Sequence, residues 1–349
     1  MPLYTTFASL SINGFMPSVL TPKIIAGTTV TMNSPQGIEI SPDGSQVFIG
    51  SGLPIPDTVV PYNRDLTTGA LTQSGTVAAT NVATTRKMVI TSTGNFIYLT
   101  SSNSNNNTVT IISRNTSTGA IAFVSNYTAG NSPYAICISP DDKNIYISKS
   151  GSNAVSALSR NMTSGALSAV GSDQTTNGNG AYSLVSSPDG AHVYLASNGG
   201  VTCYIRNGTT GALTLGTLAS MGTNPNPYGL DISPDGNFVY AASTSSKTIF
   251  VFSRNASTGA LTSVNSFAMA STPYALNVSP DGNYVYVASA TPNLVYMYSR
   301  NPTSGVLTDT GNTAPLGGSQ PFNMVMSPDS KSIYVTDSTA NKVFVFRRT

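Results

Sequence analysis

One tetrapeptide sets the architecture. Ser-Pro-Asp-Gly begins at Ser41, Ser187, Ser233 and Ser279, and degenerate copies begin at Thr91, Ser139 and Ser327. The seven starts are 46 to 50 residues apart. Interleaved with them are six close copies of Arg-Asn-x-x-Thr/Ser-Gly-Ala-Leu, beginning at Arg64, Arg114, Arg160, Arg206, Arg254 and Arg300, with departures such as Asp65 and Val306. A unit of this length cannot bury both of its faces alone, so the units must pack on one another.

Each unit holds four strand-like runs. In the sixth they fall at residues 274–279, 284–289, 294–299 and 306–310. Pro-Asp-Gly joins the first two, with proline presetting φ and glycine accepting a positive φ. Arg-Asn-x-x-Ser-Gly joins the last two, again with glycine at the tight position. Four-stranded antiparallel units at this period predict an all-β fold, a seven-bladed β-propeller. The seventh unit stops after its third strand. Residues 23–31, rich in β-branched side chains, are expected to supply the fourth, pairing with the C-terminal strand and removing two open edges.

Composition agrees. Only 9% of the 349 residues are charged and glutamate occurs once, at Glu39. Ser, Thr, Asn and Gly with β-branched and aromatic residues favour strands and turns. A net charge of +2 gives no field for nucleic acid. No run approaches the ~20 apolar residues of a membrane span, and no secretory signal is evident. Cys137 and Cys203 fall on different units, which argues against a disulfide. The domain reading is an uncharged docking arm at 1–22 and a propeller at 23–349. The arm carries three aromatics and an Asn13-Gly14 turn, as if built to dock on a protein partner or on its own propeller.

Phrases such as Ser279-Pro280-Asp281-Gly282-Asn283-Tyr284-Val285-Tyr286-Val287-Ala288-Ser289 resemble the YVTN and lactonase-type propeller repeats. That group includes bacterial 6-phosphogluconolactonase-like proteins, fungal muconate-lactonising enzymes and archaeal surface-layer proteins. The resemblance covers residues 23–349 and implies the propeller fold; one propeller hosts many roles. The stretch Ser11-Ile12-Asn13-Gly14-Phe15 also resembles the starts of some bacteriophage virion proteins.

Strand order puts both motif turns on one face and the variable loops (residues 52–57, 101–108 and 222–227) on the other, where binding is expected. Aligned on the repeat, one position at the channel mouth reads Gln36, Arg86, Tyr134, Tyr182, Tyr228, Tyr274 and Phe322. These residues would form either a cup for a glycan or small molecule or simply repeat core between blades. Four charges break the repeat on the inner strands, Arg86 among them in place of an aromatic. Glu39 and Asp231 share a position that is otherwise Val, Cys or Asn, and Lys87 stands where other units have Gly, Ala, Ser or Asn. Glu39 and Lys87, on neighbouring units, read as a structural ion pair or as an acid–base group with a cationic anchor.

Parts for catalysis are few. His192, the only histidine, follows a motif turn, away from the variable loops. The lactonase resemblance implies His, Arg and Glu around the channel, and only Arg86 and Glu39 answer to it. No zinc set or calcium loop can be assembled, Asp141-Asp142 reads as solvated turn, and no cofactor is expected. The motif arginines read as structural hydrogen-bond donors to a neighbouring loop. Together these features lead to the expectation of a non-catalytic structural or recognition propeller, anchored in a virion or other surface assembly by its arm. The alternatives are a lactonase-like hydrolase using Glu39 and Arg86, and a soluble protein-binding adaptor.

Overall fold

A computed structural model describes residues 23–51, 58–75, 84–102, 107–318 and 320–349. The docking arm, residues 52–57 and residues 103–106 of the 101–108 loop lie outside the described residues. Seven four-stranded antiparallel sheets stand around a central channel. Their inner strands are Pro35–Ile40, Thr85–Ile90, Pro133–Ile138, Ala181–Ser186, Pro227–Ile232, Pro273–Val278 and Pro321–Met326. Each inner strand contacts the next, and the strand of blade seven contacts that of blade one, so the ring closes.

Closure follows the expected route. Ile24–Thr31 pairs antiparallel with Lys342–Arg348 as the outer strand of blade seven. The register runs from Ile24 opposite Arg348 to Thr31 opposite Lys342, with an irregularity between Ala26 and Thr29.

Between the blades lie seven apolar clusters, one per junction, so every sheet is buried on both faces. At the junction that joins the chain's two ends, Ile38, Val47 and Ile49 of blade one meet Tyr334, Val343 and Val345 of blade seven. Cys137 and Cys203 are buried and free, in the junctions on either side of blade four.

The motif turns explain the repeat. In Ser41-Pro42-Asp43-Gly44 the Gly44 amide donates to the Ser41 carbonyl at 2.8 Å with φ +69°. Degenerate turns place Asp142 and Ser330 at that left-handed position instead, a conformation that costs a side chain energy. Each motif arginine is a latch to the preceding blade. Arg206 of blade four donates through Nε to the Tyr146 hydroxyl of blade three (2.8 Å) and through Nη2 to both oxygens of Asp141 (2.8 and 3.0 Å). Burial alone would raise the Asp141 carboxyl, but Ser139, Arg206 and the Lys143 amide hold it at about 2.

Equivalent latches join Arg64 to Asp329 and Tyr334, Arg254 to Asp189 and Tyr194, and Arg300 to Asp235 and Tyr240. Arg348, outside the six motif copies, makes the same latch from blade seven to Asp281 of blade six. The arginines therefore reach across a blade junction, holding a buried cation against a rim carboxylate. His192 belongs to this layer, its Nδ1 2.8 Å from Arg254 Nη2.

The solvated reading of Asp141-Asp142 is corrected here. Asp141 is the latch acceptor, and Asp142 is buried, accepting from the Ser92 amide (3.0 Å) and hydroxyl (2.6 Å) of the neighbouring blade.

Candidate functional site

The mouth position forms an aromatic tier on the variable-loop side. Tyr134 meets Tyr182 edge-on at 6.2 Å between centroids, Tyr182 lies 4.6 Å from Tyr228, and Tyr228 stacks on Tyr274 at 5.6 Å. Tyr134 also comes within 6.4 Å of Phe322, although one belongs to blade three and the other to blade seven. The rings thus pack on each other across the mouth, and Tyr134 also packs against the apolar cluster between blades three and four. The Tyr182 hydroxyl donates to Asn226 Oδ1 and accepts from Asn198 Nδ2, both at 3.3 Å, tying the tier to two loops. Gln36 and Arg86 complete it. Arg86 donates to Gln36 Oε1 at 3.3 Å and to Ser102 Oγ at 3.1 Å, and its guanidinium lies 5.5 Å from the Tyr134 ring centroid and 6.0 Å from that of Phe322.

Within the channel, lined in part by Tyr228, is a cavity of about 240 Å³. Glu39, Lys87, Asp231, Asn277 and Asn323 all face it among apolar neighbours such as Ile38, Met88 and Leu230. The expected Glu39–Lys87 ion pair does not form. Lys87 Nζ instead donates to Asn323 Oδ1 of blade seven at 3.2 Å, and its Coulombic partner is Asp231 of blade five. Burial lowers the Lys87 ammonium to about 8, with Asp231 holding it partly up.

The two carboxylates differ in their support. Asp231 accepts from the Ile232 amide at 2.9 Å, the Val278 amide at 2.8 Å and Asn277 Nδ2 at 3.3 Å. Burial raises it, and these donors with Lys87 limit the rise to about 6. Glu39 has one such donor, the Ile40 amide at 2.9 Å. Burial dominates there and lifts its carboxyl to about 7. Glu39 is half-buried and faces the cavity, so desolvation and access to a small molecule coexist at one group.

Two carboxyls and an ammonium, from three blades, are thus shifted toward neutrality around one cavity. Arg86 and Glu39, the residues paired in the lactonase alternative, line different cavities. Asp231 reads in sequence only as an off-pattern charge, and Asn277 and Asn323 read there as ordinary variation at the same positions. Their signal was a polar side chain on an inner strand where the repeat otherwise places small or apolar residues. Among the described residues no group of three or more His, Cys, Asp or Glu could hold a metal ion.

Comparison with known proteins fits this architecture to a family. The model of the family described as "Lactonase, 7-bladed beta-propeller" matches at residues 6–137, 122–226, 172–276, 223–321 and 265–349. A comparison with curated protein sequences finds no match. Among solved structures, the chain is similar to a putative 6-phosphogluconolactonase from Bacteroides uniformis, at 20% identity over 83% of this chain and 88% of that one, TM-score 0.73. It is similar to the periplasmic gluconolactonase of Pseudomonas aeruginosa at 20% identity, covering 81% and 86%, TM-score 0.71. It is also similar to Kuenenia stuttgartiensis hydrazine synthase at 18% identity, covering 96% and 99%, TM-score 0.70. At such identities the likeness is one of fold, and that fold carries more than one chemistry.

These findings overturn the expectation of a non-catalytic structural or recognition propeller in a virion or surface assembly. The family match runs almost the length of the chain, and two of these three structural neighbours are named as lactonases. The bacteriophage resemblance of the opening residues finds no support, and the match itself begins at residue 6, inside the segment read as a separate arm. The chain belongs to the lactonase family of seven-bladed β-propellers.

Proposed function

We propose that the protein hydrolyses a small lactone in the channel cavity. The observation that carries this reading is Glu39, a buried carboxyl lifted to about 7, facing the same cavity as the Lys87 ammonium in a chain of the lactonase family. A general base works best when its pKa lies near the operating pH.

In the reaction, Glu39 as carboxylate removes a proton from a water molecule as the water oxygen attacks the lactone carbonyl carbon. The carbonyl electrons move onto oxygen, where the Lys87 ammonium stabilises the developing charge. When the tetrahedral intermediate collapses, the ring C–O bond breaks and Glu39 returns its proton to the leaving ring oxygen. The product is a hydroxy acid. Asn323 fixes Nζ of Lys87, and the Asp231 charge keeps that nitrogen protonated. Lys87 and Asp231 act as an electrostatic unit, whereas Glu39 carries the proton.

The test is hydrolysis of glucono-δ-lactone and 6-phosphoglucono-δ-lactone by the purified protein, followed by acid release against the spontaneous rate. Glu39→Gln is expected to lower kcat by 100-fold or more, within the ~10²–10⁴ range of a lost general base. Full activity in Glu39→Gln, or no turnover of either lactone by the wild type, overturns the reading.

A further inference from the structure

We propose that the cleft between blades two and three is a second binding site, separate from the channel cavity, for a polyhydroxylated anion carrying a carboxylate or phosphate. The cleft has a volume of about 620 Å³, within the usual range for a small-molecule site. It is lined by Arg86, Ser102, Asn107, Asn131, Tyr134 and Ser150, among others, none of them a carboxylate.

Arg86 sets the charge of this cleft. Its guanidinium is half-buried and fixed by two neutral acceptors from different blades, Gln36 Oε1 and Ser102 Oγ. The rings of Tyr134 and Phe322 lie beside it. No ion pair to Arg86 occurs among the described residues, whereas six of the seven latch arginines are neutralised by an aspartate. Nε and Nη1 make the two bonds to Ser102 and Gln36, and Nη2 makes none among the described residues, so a positioned, partly desolvated guanidinium keeps donors for a carboxylate or phosphate.

The rest of the cleft favours a hydroxylated body on that anion. Asn107 Oδ1 is buried with no hydrogen-bond partner, an acceptor suited to a ligand hydroxyl. The Asn107 backbone is held in place, its carbonyl accepting from the Ala129 amide at 2.9 Å. Opposite it, Asn131 and Ser132 adopt φ of +47° and +55°, and the Ser132 carbonyl accepts from both the amide and the hydroxyl of Ser150. The loop that presents these polar groups is therefore tied to its neighbour.

Binding is measured by titration calorimetry on the Glu39→Gln protein, so that neither turnover nor failure of the hydrolase reading affects the result. Gluconate supplies the carboxylate, glucose 6-phosphate and inorganic phosphate supply the phosphate, and sorbitol is the uncharged control. The expected result is binding of gluconate or glucose 6-phosphate, absent for sorbitol, weakened by salt, and reduced at least tenfold by Arg86→Gln. Inorganic phosphate binding as tightly as glucose 6-phosphate would refute the hydroxyl-recognition part, and gluconate alone binding would assign the site to carboxylates. If Arg86→Gln does not fold, Asn107→Ala decides, with a several-fold loss expected. Absence of binding by all three anions, or binding unchanged in the variant measured, overturns the proposal.

Discussion

Glu39→Gln also has a consequence for stability that is independent of any substrate. The Glu39 carboxyl rises from 4.5 to about 7 on burial, so the folded protein holds a proton that the unfolded chain has already released. Wild-type stability should therefore fall as pH rises from 4.5 to about 7, then level off. The glutamine variant keeps a carbonyl for the Ile40 amide but has nothing to ionise. At ~1.4 kcal/mol per pH unit, the gain of the variant over wild type is under about 1 kcal/mol near pH 5 and reaches about 3 kcal/mol near pH 8. Water in the cavity would screen the charge, so the upper figure is a ceiling. Urea denaturation of both proteins at several pH values between 5 and 8 measures this directly, because titrations common to both chains cancel in the difference. Parallel pH profiles would refute the burial argument. A variant less stable than wild type throughout would mean that Glu39 serves an ion pair after all.

The architecture supplies two more expectations. Arg206→Leu removes the latch to Asp141 and Tyr146. It should lower the unfolding free energy measured in urea by about 2–3 kcal/mol, the cost of a buried pair discounted because Asp141 is one-third exposed, and an unchanged midpoint would exclude a stabilising role. Deleting residues 23–31 strips the outer strand from blade seven and should abolish the cooperative thermal transition; a deletion variant melting like its parent would sink the closure.

Much of the fold could be read in advance because its causes are local and repeated. Ser41-Pro42-Asp43-Gly44 specifies a turn by its own chemistry, and the hydroxyl of Ser41 accepts from the Gln46 amide within the same hairpin. Seven copies of such a unit leave few alternatives to a ring. The latch partners were harder to foresee. Arg206 and Asp141 are 65 residues apart, and the pair exists only because the ring sets each blade's third strand beside the first turn of the preceding blade. The aspartate of the repeat therefore looked like turn chemistry alone, although it serves both the turn and the junction. Asp142 misled for a related reason, since its partner Ser92 lies in the neighbouring blade.

The channel defeated the sequence reading in a more specific way. Ring order suggested that Lys87 of blade two would answer to Glu39 of the adjacent blade one. Alignment on the repeat, however, places Lys87 level with Gly37 and Asn323, and Glu39 level with Asp231 and Asn277. Lys87 remains in its own tier and reaches Asn323 of blade seven. Around a channel this narrow, depth and radial reach decide contacts more than order around the ring. Asp231, three blades away from Lys87, still lies close enough to hold its charge. Glu39 is thereby left without an ion-pair partner among the described residues, and that absence of compensation keeps its proton near neutral pH. The same displacement from the repeat that spoiled the structural pairing gives Glu39 the titration that the proposed hydrolysis needs, so that proposal rests on tier as much as on residue type.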